Sequence, residues 1–342
     1  MTTLKPNDAP SSADRWGIIL SGGNGTRMRE FVYQTRGDEL PKQYINFIGK
    51  RSMLEHTWQR AEKLIAAQKL LTVIAKEHLQ FSEVRRQIAW RPRQTLVIQP
   101  QNKDTAPGLL LPLICLYKQY PDATVVVFPS DHFIREEELF MEHVERAFRI
   151  VESNGSRIVL LGVEPNEPDP EYGYIVPGEK IDDLGLDGGR KVEMFVEKPS
   201  AEAAKKIIRR EALWNTLVLV VRCKTLLQAI QRVTPELYHS FQPILEAIGT
   251  AGEQRVIEQV YHKLPSLNFS KGVLEVLSLA HRQALVVLPV QGVTWSDWGI
   301  SDRLLRRLGE SGYAQPGRVL SEGRALPISP AKDFPVQLTR IQ

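Results

Sequence analysis

Apolar runs and amphipathic stretches alternate along the first half of the chain. "WGIIL" at 16–20, "LLTVIA" at 70–75, "TLVIQ" at 95–99, "ATVVVFP" at 123–129 and "RIVLLGV" at 157–163 are rich in Val, Ile and Leu. Such near-continuous runs suit strands covered on both faces. Between them, helical spacing predicts helices over Ser52 to Ala67, Leu79 to Trp90, Thr105 to Gln119 and Glu136 to Ser153. Ser52 with Glu55 three positions later fits a capping box. Strand, helix, strand at this spacing implies right-handed crossovers and a largely parallel sheet. Sheets of this kind bind ligands beyond the carboxyl ends of their strands. The residues after "WGIIL" and after "ATVVVFP" are therefore expected at one mouth.

The second half is less regular. It holds "YGYIVPG", "KVEMFVEKP", "WNTLVLVVR", a helical region from Lys224 to about His262, then "ALVVLPV" and "WSDWG". No internal repeat is visible.

Length and composition narrow the class. A chain of 342 residues predicts one large core with appendages. Hydrophobic residues at 42% and charged residues at 25% are ordinary for a soluble globular protein. The net charge of +4 is spread along the chain. The arginine-rich "EVRRQIAWRPR" interleaves glutamate and tryptophan, which suits a solvated helix face better than a nucleic-acid patch. No apolar run reaches the roughly 18 residues of a membrane span. No nucleic-acid or membrane partner is expected, whereas a homo-oligomer stays open. Residues 1–14 read as a disordered lead-in without the apolar segment of a signal peptide. The stretch 309–342, rich in Gly and Pro, reads as an irregular tail. Cys115 and Cys223 sit in apolar surroundings and fit neither a metal pair nor a disulfide framework. A reduced, cytoplasmic protein is the expectation.

The strand ends carry the chemistry. After "WGIIL" comes "SGGNGTR", in which Gly22, Gly23 and Gly25 expose backbone N–H groups and Arg27 adds a planar cation. Such a nest attracts phosphate. The pattern is neither the dinucleotide fingerprint nor the P-loop, and a plain strand-to-helix turn is the alternative. "LPKQY" adds Lys42 behind a stiff Pro41. "VVVFPSDHFI" ends a buried run in Asp131, well placed for a hard cation such as Mg²⁺; an N-cap aspartate is the alternative. His132 reads as a packing histidine rather than a metal ligand. "FVEKPS" closes another apolar run on Glu197 and Lys198, and "WSDWG" offers a second carboxylate, Asp297. Asp131 and Asp297 form a metal pair if those two chain segments meet.

Taken in order, "GGNGTR", "PKQY", "DTAP" at 104–107, "PSDHFI", "YGYI" at 172–175, "VEKP", "WNT" at 214–216 and "WSDWG" resemble the sugar-1-phosphate nucleotidyltransferases, above all the mannose-1-phosphate guanylyltransferase branch. The resemblance implies the nucleotide-diphospho-sugar transferase fold, an α/β Rossmann-like mixed, largely parallel sheet with helices on both faces, here over 15–308. It implies transfer of a nucleotidyl group, from GTP by preference, to a sugar 1-phosphate, mannose 1-phosphate by preference. Mg²⁺ is the implied cofactor. The triphosphate then lies against Gly22, Gly23, Asn24, Gly25 and Thr26, with Arg27 on its leaving phosphates and Lys42 near the α-phosphate. Gln99, Asp104 and Thr105 face the base or ribose. Gly173, Glu197 and Asn215 face the sugar, Lys198 grips its phosphate, and Asp131 and Asp297 hold the metal. Tyr172 and Trp214 wall the pocket.

The chain departs from the branch in four places. The segment between Arg27 and Lys42 is longer and lacks the usual Trp-Pro. Asp104 stands for an Asn, Leu217 for a Gly, and Ser270 for an Asp. These departures motivate two alternatives: the same chemistry on another base or sugar, for example dTTP, or a glucose or heptose phosphate, or a catalytically weak nucleotide-sugar-binding regulator.

Overall fold

The computed structural model describes residues 14–47, 49–181 and 188–297, apart from the side chains of Arg27, Thr35 and Arg282. The lead-in up to residue 13 and the tail 309–342 lie outside the described residues. Eleven strands occur among the described residues: β1 Arg15–Ser21, β2 Leu70–Ala75, β3 Leu96–Gln99, β4 Thr124–Pro129, β5 Phe133–Ile134, β6 Ile158–Val163, β7 Gly173–Lys180, β8 Arg190–Glu197, β9 Leu213–Arg222, β10 Leu285–Val290 and β11 Trp295–Ser296. The α-helices are α1 Arg29–Arg36, α2 Met53–Ala61, α3 Ser82–Ile88, α4 Thr105–Gln119, α5 Glu137–Ser153, α6 Ala201–Ile208, α7 Cys223–Val233, α8 Pro235–Ala247, α9 Glu253–Lys263 and α10 Val276–Ala280.

Nine strands form one mixed sheet in the order β3-β2-β1-β4-β9-β6-β10-β8-β7. β3, β2, β1 and β4 pair in parallel, as the alternation of the first half predicts. β9 then runs antiparallel between β4 and β6. β10 returns parallel to β6, and β7 and β8 close the far side antiparallel. Adjacent strand residues face opposite layers, the period of a pleated chain. Ile19, Val126 and Phe128 pack with α2, α3 and α5, whereas Ile18, Val125 and Val127 pack with α4 and α7 to α9.

Local signals hold where they are complete. Ser52 accepts from the Glu55 backbone N–H, and Glu55 accepts from the Ser52 N–H, so the capping box starts α2. That helix stops at Ala61, short of the expected 67, because the chain turns there to bury Ile65 and then forms a tight turn over Ala67–Lys69. α3 begins at Ser82 because Lys76–Gln80 forms a 3₁₀ turn. The helical region after Lys224 divides into α7, α8 and α9.

Two features place the site. Leu20 of β1 is in register with Pro129 of β4, so the glycine turn and the Ser130–Asp131 turn leave the sheet side by side. β11 pairs with β5, Trp295 opposite Ile134 and Ser296 opposite Phe133, which returns the "WSD" segment to the end of β4.

Candidate active site

The glycine turn is built around its neighbours. Gly25 has φ +59°, the left-handed region that disfavours L side chains. A Cβ there would lie 3.3 Å from the Lys42 backbone nitrogen. A Cβ on Gly22 would lie 2.3 Å from Gln99 Nε2, and that nitrogen donates to the Gly22 carbonyl. A Cβ on Gly23 would meet nothing within 4 Å, so that side of the turn is open. Thr26 opens a 3₁₀ turn, Thr26–Met28. The Arg27 side chain lies outside the described residues.

A polar brace of Gln43, Tyr44, His78 and Asn102, to none of which the sequence assigned a role, holds this turn. Gln43 Nε2 donates to the Ser21 and Gly23 carbonyls at 3.1 and 2.7 Å. The Tyr44 hydroxyl donates to the Ser21 carbonyl at 3.0 Å and lies 3.1 Å from His78 Nδ1. Asn24 Oδ1 accepts from Asn102 Nδ2 at 3.2 Å and lies 3.4 Å from His78 Nε2. Burial pushes His78 down to about 4, so the ring is neutral at ordinary pH. Gln43 and Tyr44 were visible inside "PKQY"; His78 sits in a short turn that carries no motif.

Beyond this turn lies a cavity of about 290 Å³ lined by Gly22, Gly23, Gln99, Asp104, Thr105 and Gly108, among others. The nucleotide candidates thus converge. Gln99 Oε1 is buried there without a hydrogen-bond partner, and a buried acceptor left unpaired is costly. Asp104 is largely committed to structure. Its Oδ1 caps α4 through the Thr105 N–H and accepts from Asn268 Nδ2. Its backbone, φ 69° and ψ −173°, lies in a region other residues leave to glycine. Thr105 Oγ1 accepts from the Phe269 N–H, docking the 267–270 segment on the start of α4.

The acidic corner forms where β4 and β11 end. Lys42 Nζ lies 3.0 Å from Asp131 Oδ2 and donates to the Asp297 backbone carbonyl at 2.8 Å. Asp297 Oδ1 accepts from the Tyr172 hydroxyl at 2.8 Å, so Tyr172 donates a hydrogen bond besides lining the wall. Asp131 is no helix cap, since α5 is preceded by Glu136. Burial pushes the Asp131 carboxyl up, but the Lys42 and His132 charges outweigh it and hold the group below the usual carboxylate range. Burial also pushes His132 down to about 4 despite Asp131 and Asp297 nearby, so Lys42 is the cation that matters at neutral pH. His132 Nδ1 accepts from Trp295 Nε1 at 3.3 Å, and the rings meet edge-on, as expected of a packing histidine. Among the described residues no group of three or more His, Cys, Asp or Glu is gathered for a metal.

Tyr172 links this corner to the last cluster. Its ring lies 4.4 Å from that of Trp214 and 5.4 Å from that of Trp295. The β7–β8 register sets Gly173 opposite Glu197, and the β7–β9 register sets Tyr174 opposite Trp214. A Cβ on Gly173 would lie 2.5 Å from Glu197 Oε2 and 3.4 Å from Asn215 Cβ, so the three sugar candidates touch. Asn215 Nδ2 reaches Ser270 Oγ at 3.3 Å. Leu217, where the branch has glycine, keeps a left-handed φ of 56°. Lys198 stands on the rim, its N–H donating to the Tyr172 carbonyl and its Nζ 3.7 Å from Glu171 Oε2.

If this cluster seats the sugar, as the resemblance implies, Gly173→Ala is expected to raise the KM for sugar 1-phosphate about five- to tenfold, because the methyl must push Glu197 or Asn215 aside. The KM for nucleotide should stay near wild type in the same initial-rate measurements.

The family model described as nucleotidyl transferase matches residues 16–308. "Xanthan biosynthesis protein XanB" of Xanthomonas campestris is 30% identical over 84% of this chain and 58% of its own length. A mannose-1-phosphate guanylyltransferase of Salmonella muenchen is 27% identical over 82% of this chain and 57% of its own. The chain thus spans under three-fifths of these relatives. The solved structure titled mannose-1-phosphate geranyltransferase, from Thermus thermophilus, superposes with a TM-score of 0.71 at 25% identity, covering 90% of this chain and 80% of that one. A glucose-1-phosphate thymidylyltransferase structure from Bacillus anthracis, at 16% identity and TM-score 0.54, shares the fold. No helix of the described residues is long and apolar enough to cross a membrane. With a family match over most of its length and a sheet whose strand ends gather the family's motifs, the chain belongs to the nucleotidyl transferase family.

Proposed function

We propose that the protein joins a nucleoside triphosphate, GTP by preference, to a sugar 1-phosphate, mannose 1-phosphate by preference, releasing pyrophosphate. One observation carries this reading. A continuous line of contacts runs from the glycine turn through Lys42 to Asp131 and Asp297, on through Tyr172, and ends at Gly173, Glu197 and Asn215. A base and ribose fit one end, a sugar the other, and phosphates the charged middle. The relatives named as mannose-1-phosphate guanylyltransferases support the choice of GTP and mannose 1-phosphate.

In the reaction an oxygen of the sugar phosphate attacks the α-phosphorus. A new P–O bond forms, the bond to the bridging oxygen of the leaving pyrophosphate breaks, and the electron pair departs with that oxygen. No covalent intermediate with the protein is required, so the chain's task is positioning and charge compensation. The glycine turn's exposed N–H groups orient the triphosphate, with Arg27 on the leaving phosphates. Lys42 stabilises charge near the α-phosphate, and Lys198 holds the phosphate of the sugar. Gly173, Glu197 and Asn215 orient the sugar so that its phosphate oxygen approaches in line.

Mg²⁺ fits the acidic corner by donor chemistry. The Asp131 carboxylate and the Asp297 backbone carbonyl share the Lys42 ammonium, the Asp297 carboxylate accepts from Tyr172, and Mg²⁺ takes one or two carboxylates together with substrate phosphates and water. Asp131 and Asp297 would hold it. When bound it would neutralise phosphate charge.

Pyrophosphate release from purified protein tests the proposal, with base and sugar varied independently in the presence of Mg²⁺. Release is expected with GTP and mannose 1-phosphate above all other pairs. Release with another pair corrects the substrates. Tight ligand binding with no release from any pair overturns the enzyme in favour of a nucleotide-sugar-binding regulator.

A further inference from the structure

We propose that Lys42 is a resident cation of the acidic corner. In the ligand-free chain its ammonium occupies the place of a divalent ion, so that the corner refuses free metal and accepts it together with the triphosphate. The proposal rests on the reading of Asp131 and Asp297 as the metal-holding pair.

The position of Lys42 differs from that of a lysine waiting for phosphate. Its side chain is 7% exposed and turned inward. The ammonium is spent on Asp131 Oδ2 at 3.0 Å and on the Asp297 carbonyl at 2.8 Å. It thereby ties together two residues from distant parts of the sequence, and the Tyr172 hydroxyl donates to the Asp297 carboxylate beside it. A divalent ion entering the same corner would meet a cation already bonded to its first ligand. Like charges at such a separation repel strongly in a half-buried site.

The stem of Lys42 supplies the way out. The residue opens the short turn Lys42–Tyr44, and its Cγ would lie 3.5 Å from a Cβ on Gly25. The aliphatic stem therefore lies along the glycine turn, which is open on the side where a Cβ on Gly23 would stand. Rotation about side-chain bonds alone carries the ammonium from Asp131 toward a phosphate seated at that turn. A triphosphate offers the ammonium a new partner at the moment it delivers a metal to the old one. One cation leaves the corner as another arrives; a single positive charge gives way to a double one, and the triphosphate brings the negative charge that offsets the difference.

Mn²⁺ titration of the nucleotide-free protein, read by electron paramagnetic resonance, tests this directly. Wild type is expected to bind free Mn²⁺ weakly. Lys42→Met should bind one equivalent at least tenfold more tightly, and Lys42→Met with Asp131→Asn should lose that gain. Lys42→Arg, which keeps the charge, should bind as weakly as wild type. If Lys42→Met does not fold, judged by circular dichroism, Lys42→Gln takes its place with the same expectation. Equal Mn²⁺ affinity in wild type and the neutral variant overturns the resident-cation role. If pyrophosphate release still needs Asp131 and a divalent ion, only this inference falls. If release proceeds at full rate without any divalent ion, the metal reading falls and takes this inference with it.

Discussion

Asp131→Asn and Asp297→Asn are each expected to lower turnover by about two to three orders of magnitude while the fold persists. The amide is nearly isosteric with the carboxylate. Its oxygen can still accept from Lys42 at 131 or from the Tyr172 hydroxyl at 297, the contacts seen at 3.0 and 2.8 Å. What disappears is one negative charge from a corner that, in the proposed reaction, organises positive charge around phosphates. Removing one preorganised electrostatic partner of that kind costs roughly 10²–10³ in rate. In the proposed reaction the carboxylates serve the phosphates, where charge changes on the way to the transition state, so the loss should fall on kcat. Initial-rate kinetics with a coupled pyrophosphate assay, paired with thermal melting, measures both halves of the expectation. Wild-type turnover in either variant removes that carboxylate from the reaction.

Gly25→Ala carries the next largest effect. An alanine forced to φ +59° costs about 1–2 kcal/mol. Its methyl would stand 3.3 Å from the Lys42 backbone nitrogen and 3.5 Å from Lys42 Cγ, so the strain relaxes by moving Lys42. We expect kcat/KM for the triphosphate to fall at least tenfold and the melting temperature to drop by about 2–8 °C. Gly23→Ala is the control. Its methyl meets no atom within 4 Å, so stability should hold, and any loss of activity there reports ligand contact. If Gly25→Ala retains full activity, the turn does not position Lys42.

Much of the site was legible in the sequence because strands of this sheet end in short, chemically distinct turns. An apolar run that stops on "SGG" or "PSD" marks a carboxyl end whatever lies elsewhere, and β1 and β4 end where the pattern places them. Glycine spacing likewise announces a backbone that must come close to something. The partners of those glycines were not legible. Gly22 proves to be required by Gln99, and Gly173 by Glu197. His78, which braces the glycine turn through Asn24, had no signal at all, since a buried polar contact leaves no local period. Lys42 was read as a phosphate ligand from its motif, and its seat on Asp131 depends on where residue 297 lies.

The sequence by itself determined the layers, the α4 boundaries, the capping box of α2 and the chemistry waiting at each strand end, because hydrophobic period and capping act over a few residues. Only the tertiary structure decided that those ends share one mouth. Asp297 reaches Asp131 because β11 pairs with β5, and Gly173, Glu197 and Asn215 meet because of the registers among β7, β8 and β9. Strand pairing across long separations reflects how the whole sheet buries its faces, and no local window of residues contains that sum.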